Sequence, residues 1–154
     1  MTPTRLTTAT DETLAELSDL CMRSKAYWGY DAAFMAACRD VLRLTQNDLA
    51  TPVAVTREGA SFTGVAQLDL SHPIAALTRL FVCPNRMGKG IGTALIRWAK
   101  AEALSNGYLS FQIDSDPQAV PFYLAHGATQ VGDVASDAIP GRRLPLLEIP
   151  TTVA

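Results

Sequence analysis

The chain has 154 residues, with 13 Lys and Arg against 15 Asp and Glu, and a formal net charge of −2. That length suits one domain with a real core, residues 1–154, and a composition 48% apolar and 18% charged excludes a disordered or collagen-like chain. The mildly acidic balance excludes a dedicated nucleic-acid binder, because phosphate contacts need a basic stripe.

The opening residues hold no apolar run of signal-peptide length, and no stretch approaches the roughly 18 apolar residues of a membrane span. A cytoplasmic protein without membrane contact is expected. Cys21, Cys38 and Cys83 are widely spaced and never form a C-x-x-C pair, and only His72 and His126 stand beside them. No metal site is expected from that set, and the cysteines read as small apolar residues.

In chain order, Arg5 to Thr8 reads as a short strand. Thr10 then caps a helix whose Leu14, Leu17 and Cys21 share a face, with Asp11 and Glu12 at its positive end. After Trp28-Gly29-Tyr30, Asp31 caps a second helix with Phe34, Cys38, Val41 and Leu42 on one side. Pro52 to Arg57 and Ser61 to Leu70 form a hairpin about Glu58-Gly59, and Ile74 to Val82 extends it into an antiparallel meander. The loop Pro84 to Met87 leads into Gly88-Lys89-Gly90-Ile91-Gly92 and a helix marked by Ile91, Leu95, Trp98 and Ala99. Asn106-Gly107 ends it. Tyr108 to Ile113 is a strand, Pro117 opens a short helix to about His126, and Thr129 to Val134 and Arg143 to Ile149 are the last strands.

Three alternate glycines between a strand and a helix expose backbone N–H groups at the positive end of a helix dipole, which is what a phosphate or pyrophosphate needs. A Walker loop is excluded because Gly88-Lys89 is followed by Gly90. A Rossmann fingerprint fails as well: the spacing is G-x-G-x-G, and an antiparallel meander precedes it.

The stretch Leu80-Phe81-Val82-Cys83-Pro84-Asn85-Arg86-Met87-Gly88-Lys89-Gly90-Ile91-Gly92-Thr93 resembles the acetyl-CoA signature of the GCN5-related N-acetyltransferase superfamily, [QR]-x-x-G-x-[GA]. Asp116 to Ala128, with Ala119, Phe122, Tyr123 and Gly127 in place, is similar to the family's N-x-x-A-x-x-F-Y-x-x-x-G-F helix. The resemblance implies a mixed α/β fold: a six- to seven-stranded, mostly antiparallel sheet, splayed at a cofactor wedge and flanked by about four helices. Met87 stands where the family usually has Gln or Arg, and Asp116 replaces its Asn. An ionised Asp accepts hydrogen bonds but cannot donate as an amide does.

The resemblance further implies acetyl-CoA as the acyl donor and a primary amine of a small molecule or peptide as the acceptor. Leu80, Phe81 and Val82 would lie along the pantetheine arm. Met87, Gly88, Lys89, Gly90, Ile91, Gly92 and Thr93 would surround the pyrophosphate, with Asp116 and Phe122 completing the cofactor site. Tyr123 matches the family tyrosine that donates to the departing thiolate. Trp28 and Tyr30 lie where the fold borders the acceptor. The strand before the loop has no carboxylate, so the base is left among Asp69, His72, Asp114 or a water chain. A non-catalytic CoA-binding regulatory module is the alternative, and a homodimer through the C-terminal strands is common in the family.

Overall fold

The structure is a computed structural model that describes residues 2–152. Seven strands form one sheet in the order β1-β2-β3-β4-β5-β7-β6. The strands are β1 Thr4–Arg5, β2 Val53–Glu58, β3 Ser61–Asp69, β4 Ala75–Val82, β5 Ser110–Asp114, β6 Thr129–Ala135 and β7 Arg143–Pro150. The helices are α1 Asp11–Ala26, α2 Ala32–Leu42, α3 Ile91–Ser105 and α4 Val120–Ala125. All neighbours in the sheet are antiparallel except β4 and β5. The mixed, mostly antiparallel sheet with four helices is therefore present as expected.

Both faces of the sheet are covered, and the period-2 alternation of its strands assigns the residues. Ala66 and Leu68 of β3 pack with Ile91, Leu95, Ile96 and Ala99 of α3. Val65 of β3, with Val53 and Val55 of β2, packs on the other face with Leu14, Leu17, Leu20 and Cys21 of α1. The caps read from the sequence are in place: the Thr10 hydroxyl accepts from the Thr13 N–H at 3.1 Å, and the Asp31 carboxylate accepts from the Phe34 N–H at 2.8 Å.

Several boundaries differ from the sequence reading. β1 spans Thr4–Arg5 and not Arg5 to Thr8, because only Thr4 and Arg5 find partners on β2, with the Leu6 N–H adding one bond to the Val53 carbonyl. Val41 does not share the core face of α2. Cys38 and Leu42 are buried one turn apart, whereas Val41 lies off that line and is 45% exposed on a cavity wall. β5 begins at Ser110 and not Tyr108, since the Tyr108 N–H turns back to the Ala103 carbonyl at the end of α3, at 3.0 Å, while its hydroxyl lies within 2.8 Å of the Leu70 and His72 carbonyls. The segment from Pro117 is a 3-10 turn before α4 proper, and Gln46–Ala50 forms a further 3-10 turn that the sequence reading passed over.

Candidate active site

β4 and β5 run parallel, joined by α3, but pair only at Ala75 with Phe111 and Ala76 with Gln112. Beyond them, β4 continues to Val82 with its β5-facing edge unpaired. The two strands splay, and a cavity of about 980 Å³ opens in the wedge. Leu80, Phe81 and Val82 line it from the free edge of β4.

At one end of the cavity stands the first turn of α3. Gly88 (φ +76°) and Gly90 (φ +85°) are in the left-handed region, where a side chain is disfavoured. No backbone N–H from Gly88 to Thr93 takes part in the loop, cap or side-chain hydrogen bonds of the described residues, and the first turn of a helix leaves such donors open. Gly92 has a different reason to be glycine. A Cβ there would stand 3.0 and 3.1 Å from Cε1 and Cζ of Phe122, so the Phe122 ring rests directly on α3. Thr93 is occupied by its own chain: its hydroxyl lies 3.1 Å from His126 Nε2, while His126 Nδ1 faces the Phe122 carbonyl at 2.9 Å. Those partners assign the proton to Nδ1 and leave Nε2 to accept from Thr93.

Met87, Gly88, Gly90, Ile91, Gly92, Thr93 and Phe122 all line the cavity, but Lys89 does not; it is exposed. Arg86 lines the cavity while holding Glu58 at 2.6 and 3.2 Å.

Tyr123 projects from α4 into the same cavity with only 5% of its surface exposed. Its hydroxyl has no hydrogen-bond partner among the described residues, yet no buried side-chain polar atom of those residues lacks one. The hydroxyl therefore opens to the cavity. Burial, and secondarily the charge of Asp116, push the phenol pKa upward, so Tyr123 stays protonated and serves as a donor.

A second part of the cavity wall is built from side chains of three separate segments. Asp116 accepts from the Gln118 N–H through Oδ1 at 2.9 Å, and through Oδ2 from Lys25 Nζ at 2.5 Å and the Tyr30 hydroxyl at 2.8 Å. Arg142 Nη2 donates to the Tyr30 oxygen at 2.9 Å and lies 3.7 Å from Oδ2. Tyr30 stacks on Phe34 with centroids 4.0 Å apart. Trp28 lines the cavity, whereas Tyr30 does not and reaches it only through this network. Burial pushes the Asp116 pKa up, but hydrogen bonds from Lys25, the Gln118 N–H and Tyr30, with the Lys25 charge, outweigh it and hold the carboxyl below its ordinary value.

Residues 20–138, more than half of the chain, match the family profile of the acetyltransferase (GNAT) domain. The chain belongs to the GNAT acetyltransferase family. Its structure is similar to that of PaiA N-acetyltransferase from Thermoplasma acidophilum in complex with coenzyme A: 16% identity, TM-score 0.78, covering 97% of this chain and 99% of that one. It is also similar to a GCN5-related N-acetyltransferase from Rhodopseudomonas palustris, with 19% identity, TM-score 0.76 and coverage of 97% and 96%. An aminoglycoside 6′-N-acetyltransferase complexed with coenzyme A gives 15% identity, TM-score 0.71 and coverage of 100% and 99%. No curated protein matches the chain.

In this GNAT chain the carboxylates of the cavity separate into two groups. Asp48, Asp69 and Asp116 are engaged: Asp48 with Thr45 and Gln67, Asp69 with Ser71 at 2.5 and 2.9 Å, Asp116 as above. The Ser71 bonds hold the Asp69 pKa low, which weakens it as a base, and His72 does not line the cavity. Asp114 and Asp137 line the cavity with no hydrogen-bond or cationic partner among the described residues. Burial and the Asp137 charge push the Asp114 pKa up. Asp137 and Arg142 were invisible to sequence reasoning, because nothing local distinguishes a charged residue of the β6–β7 loop from any solvated one. Arg79 of β4 holds the C-terminal carbonyls of α2 at 2.9 to 3.2 Å and Gln67 at 2.8 Å. Among the described residues no group of three or more metal-ligating side chains lies together, and no helix is long and apolar enough to cross a membrane.

Proposed function

We propose that the chain is an acetyl-CoA-dependent N-acetyltransferase that moves the acetyl group to a primary amine of a small molecule or peptide by direct attack on the thioester. The observation that carries this reading is one cavity with a row of open N–H donors at the α3 end and an unpartnered Tyr123 hydroxyl inside it. Acetyl-CoA supplies an activated acyl group. The α3 N–H groups suit its pyrophosphate, and the free edge of β4 suits the amides of its pantetheine arm, as an added strand does. The backbone donors do not depend on the side chain at Met87.

An alkyl ammonium has a pKa near 10.4, so only on the order of 0.1% is free amine at neutral pH. Asp114 would take that proton; in support, the other cavity carboxylates except Asp137 are engaged and a raised pKa makes a stronger base. As the new N–C bond forms and the C–S bond breaks, Tyr123 donates a hydrogen bond to the departing sulfur, and the second proton shed by the acylated nitrogen passes through solvent to the thiolate, giving CoA as the free thiol. Full proton transfer from a phenol to a thiolate is uphill, with reference pKa values of about 10 against about 8.5.

Thiol release from acetyl-CoA over a panel of amines is the test. Turnover with at least one primary amine is expected. CoA-dependent thermal stabilisation with no turnover on any amine would replace this reading with a regulatory CoA-binding module.

A further inference from the structure

The Asp116 carboxylate joins parts of the molecule that are far apart in sequence. Oδ1 caps the turn that leads into α4, the helix of Tyr123. Oδ2 receives Lys25 from the end of α1, Tyr30 from the α1–α2 loop and the nearby charge of Arg142 from the β6–β7 loop. All three charged side chains are largely buried, with 14%, 10% and 19% of Lys25, Asp116 and Arg142 exposed. Both cations also lie over the Tyr30 and Phe34 rings, Arg142 at 5.2 and 4.9 Å and Lys25 at 5.2 and 5.9 Å from the centroids. Every group that faces Oδ2 is a donor. An amide at this position would turn its own donors toward them or give up the cap, so this arrangement demands a carboxylate.

We propose that Asp116 is a positioning residue of the acceptor half, clamping the Lys25–Tyr30 segment and Arg142 onto the base of the Tyr123 helix so that acceptor wall and tyrosine hold one relative geometry. The proposal rests on the acetyltransferase reading above. It assigns Asp116 to the acceptor, not to the cofactor as the family signature implied. Lys25, Tyr30 and Arg142 act through it and need not touch the reacting atoms.

The test is Asp116→Asn in the full chain. Asn caps a helix about as well as Asp, so the turn into α4 is retained while the ionic clamp is lost. Amide hydrogen exchange is expected to quicken in residues 25–34 and 136–142 and to stay unaltered in α3. The acceptor KM is expected to rise about tenfold or more while CoA affinity stays within about twofold, because charge-assisted bonds to buried partners are lost only at the acceptor end. Lys25→Met should reproduce the effect, and the double variant should cost little more than either single one. Unaltered exchange and KM in an active Asp116→Asn enzyme would overturn the clamp. Equal losses in CoA affinity and acceptor KM would return Asp116 to the cofactor site. A wild-type chain inert on every amine would break the acetyltransferase reading, and the positioning role with it, whatever the exchange pattern.

Discussion

The two parts of the cavity wall are made in different ways. The part proposed to take the acyl donor is one continuous stretch, Leu80 to Thr93, which offers backbone N–H donors beside left-handed glycines at a helix start. The part proposed to take the acceptor draws Lys25, Trp28, Asp114, Asp116, Asp137 and Arg142 from distant segments, and what it offers lies in side chains. A ligand common to a family is suited by backbone that tolerates side-chain change, as Met87 illustrates. A ligand particular to one member is suited by side chains that can be exchanged without rebuilding the fold.

Tyr123 lines the same cavity, and its removal is expected to have the largest effect. Tyr123→Phe deletes a hydroxyl with no partner in the protein, so folding and CoA affinity should be nearly unchanged. Turnover should fall tens-fold or more, in the range of a lost general acid, about 10²-fold at the lower bound of such contributions. Steady-state kinetics with a CoA binding isotherm checks both halves. An unaltered rate would remove Tyr123 from the mechanism.

The next contrast lies within the donor loop. Gly90→Ala places a side chain at φ +85°, where non-glycine residues cost about 1–2 kcal/mol. The free loop relaxes away from that conformation and binding must restore it, so CoA affinity is expected to drop about tenfold. Lys89→Ala, one residue away but exposed and outside the cavity, should cost less than about threefold and should fade as salt rises. Calorimetric titration of both variants at two ionic strengths tests whether backbone or charge carries the donor end. Equal losses would break the comparison.

The donor end was legible for the same reason that it tolerates change: glycine spacing and a helix start are local signals. The meander and the helices were legible through apolar periodicity and turn signals, whereas the placing of β5 beside β4 came from the family resemblance and the pairing of β1 with β2 was not read. The network at Asp116 was not, because Lys25, Tyr30 and Arg142 meet it across 91, 86 and 26 positions of sequence, and a lysine or arginine looks alike whether buried or solvated. Gly92 has a second role that the glycine series did not reveal: a Cβ there would press on the Phe122 ring at 3.0 and 3.1 Å, so the ring would have to give way. Lys89 carries the expected charge but is exposed and does not line the cavity, which spacing does not encode.

The finest test concerns Asp114 and Asp137, the acceptor-end carboxylates without partners. Burial first, then the Asp137 charge, disfavours the ionised form of Asp114 and raises its pKa. A base works only when deprotonated, so the acid limb of kcat/KM should lie higher in pH than an ordinary aspartate would place it. Asp137→Asn removes the neighbouring negative charge without removing the burial. Ionisation of Asp114 becomes easier, its pKa falls, and the acid limb should move to lower pH while the plateau rate changes little. The pH profile of kcat/KM, compared between wild type and Asp137→Asn at one ionic strength, reads this directly. A limb that stays in place would separate Asp114 from the proton transfer and hand that step to water. A plateau that collapses in Asp137→Asn would mean that Asp137 had been the base and Asp114 its neighbour.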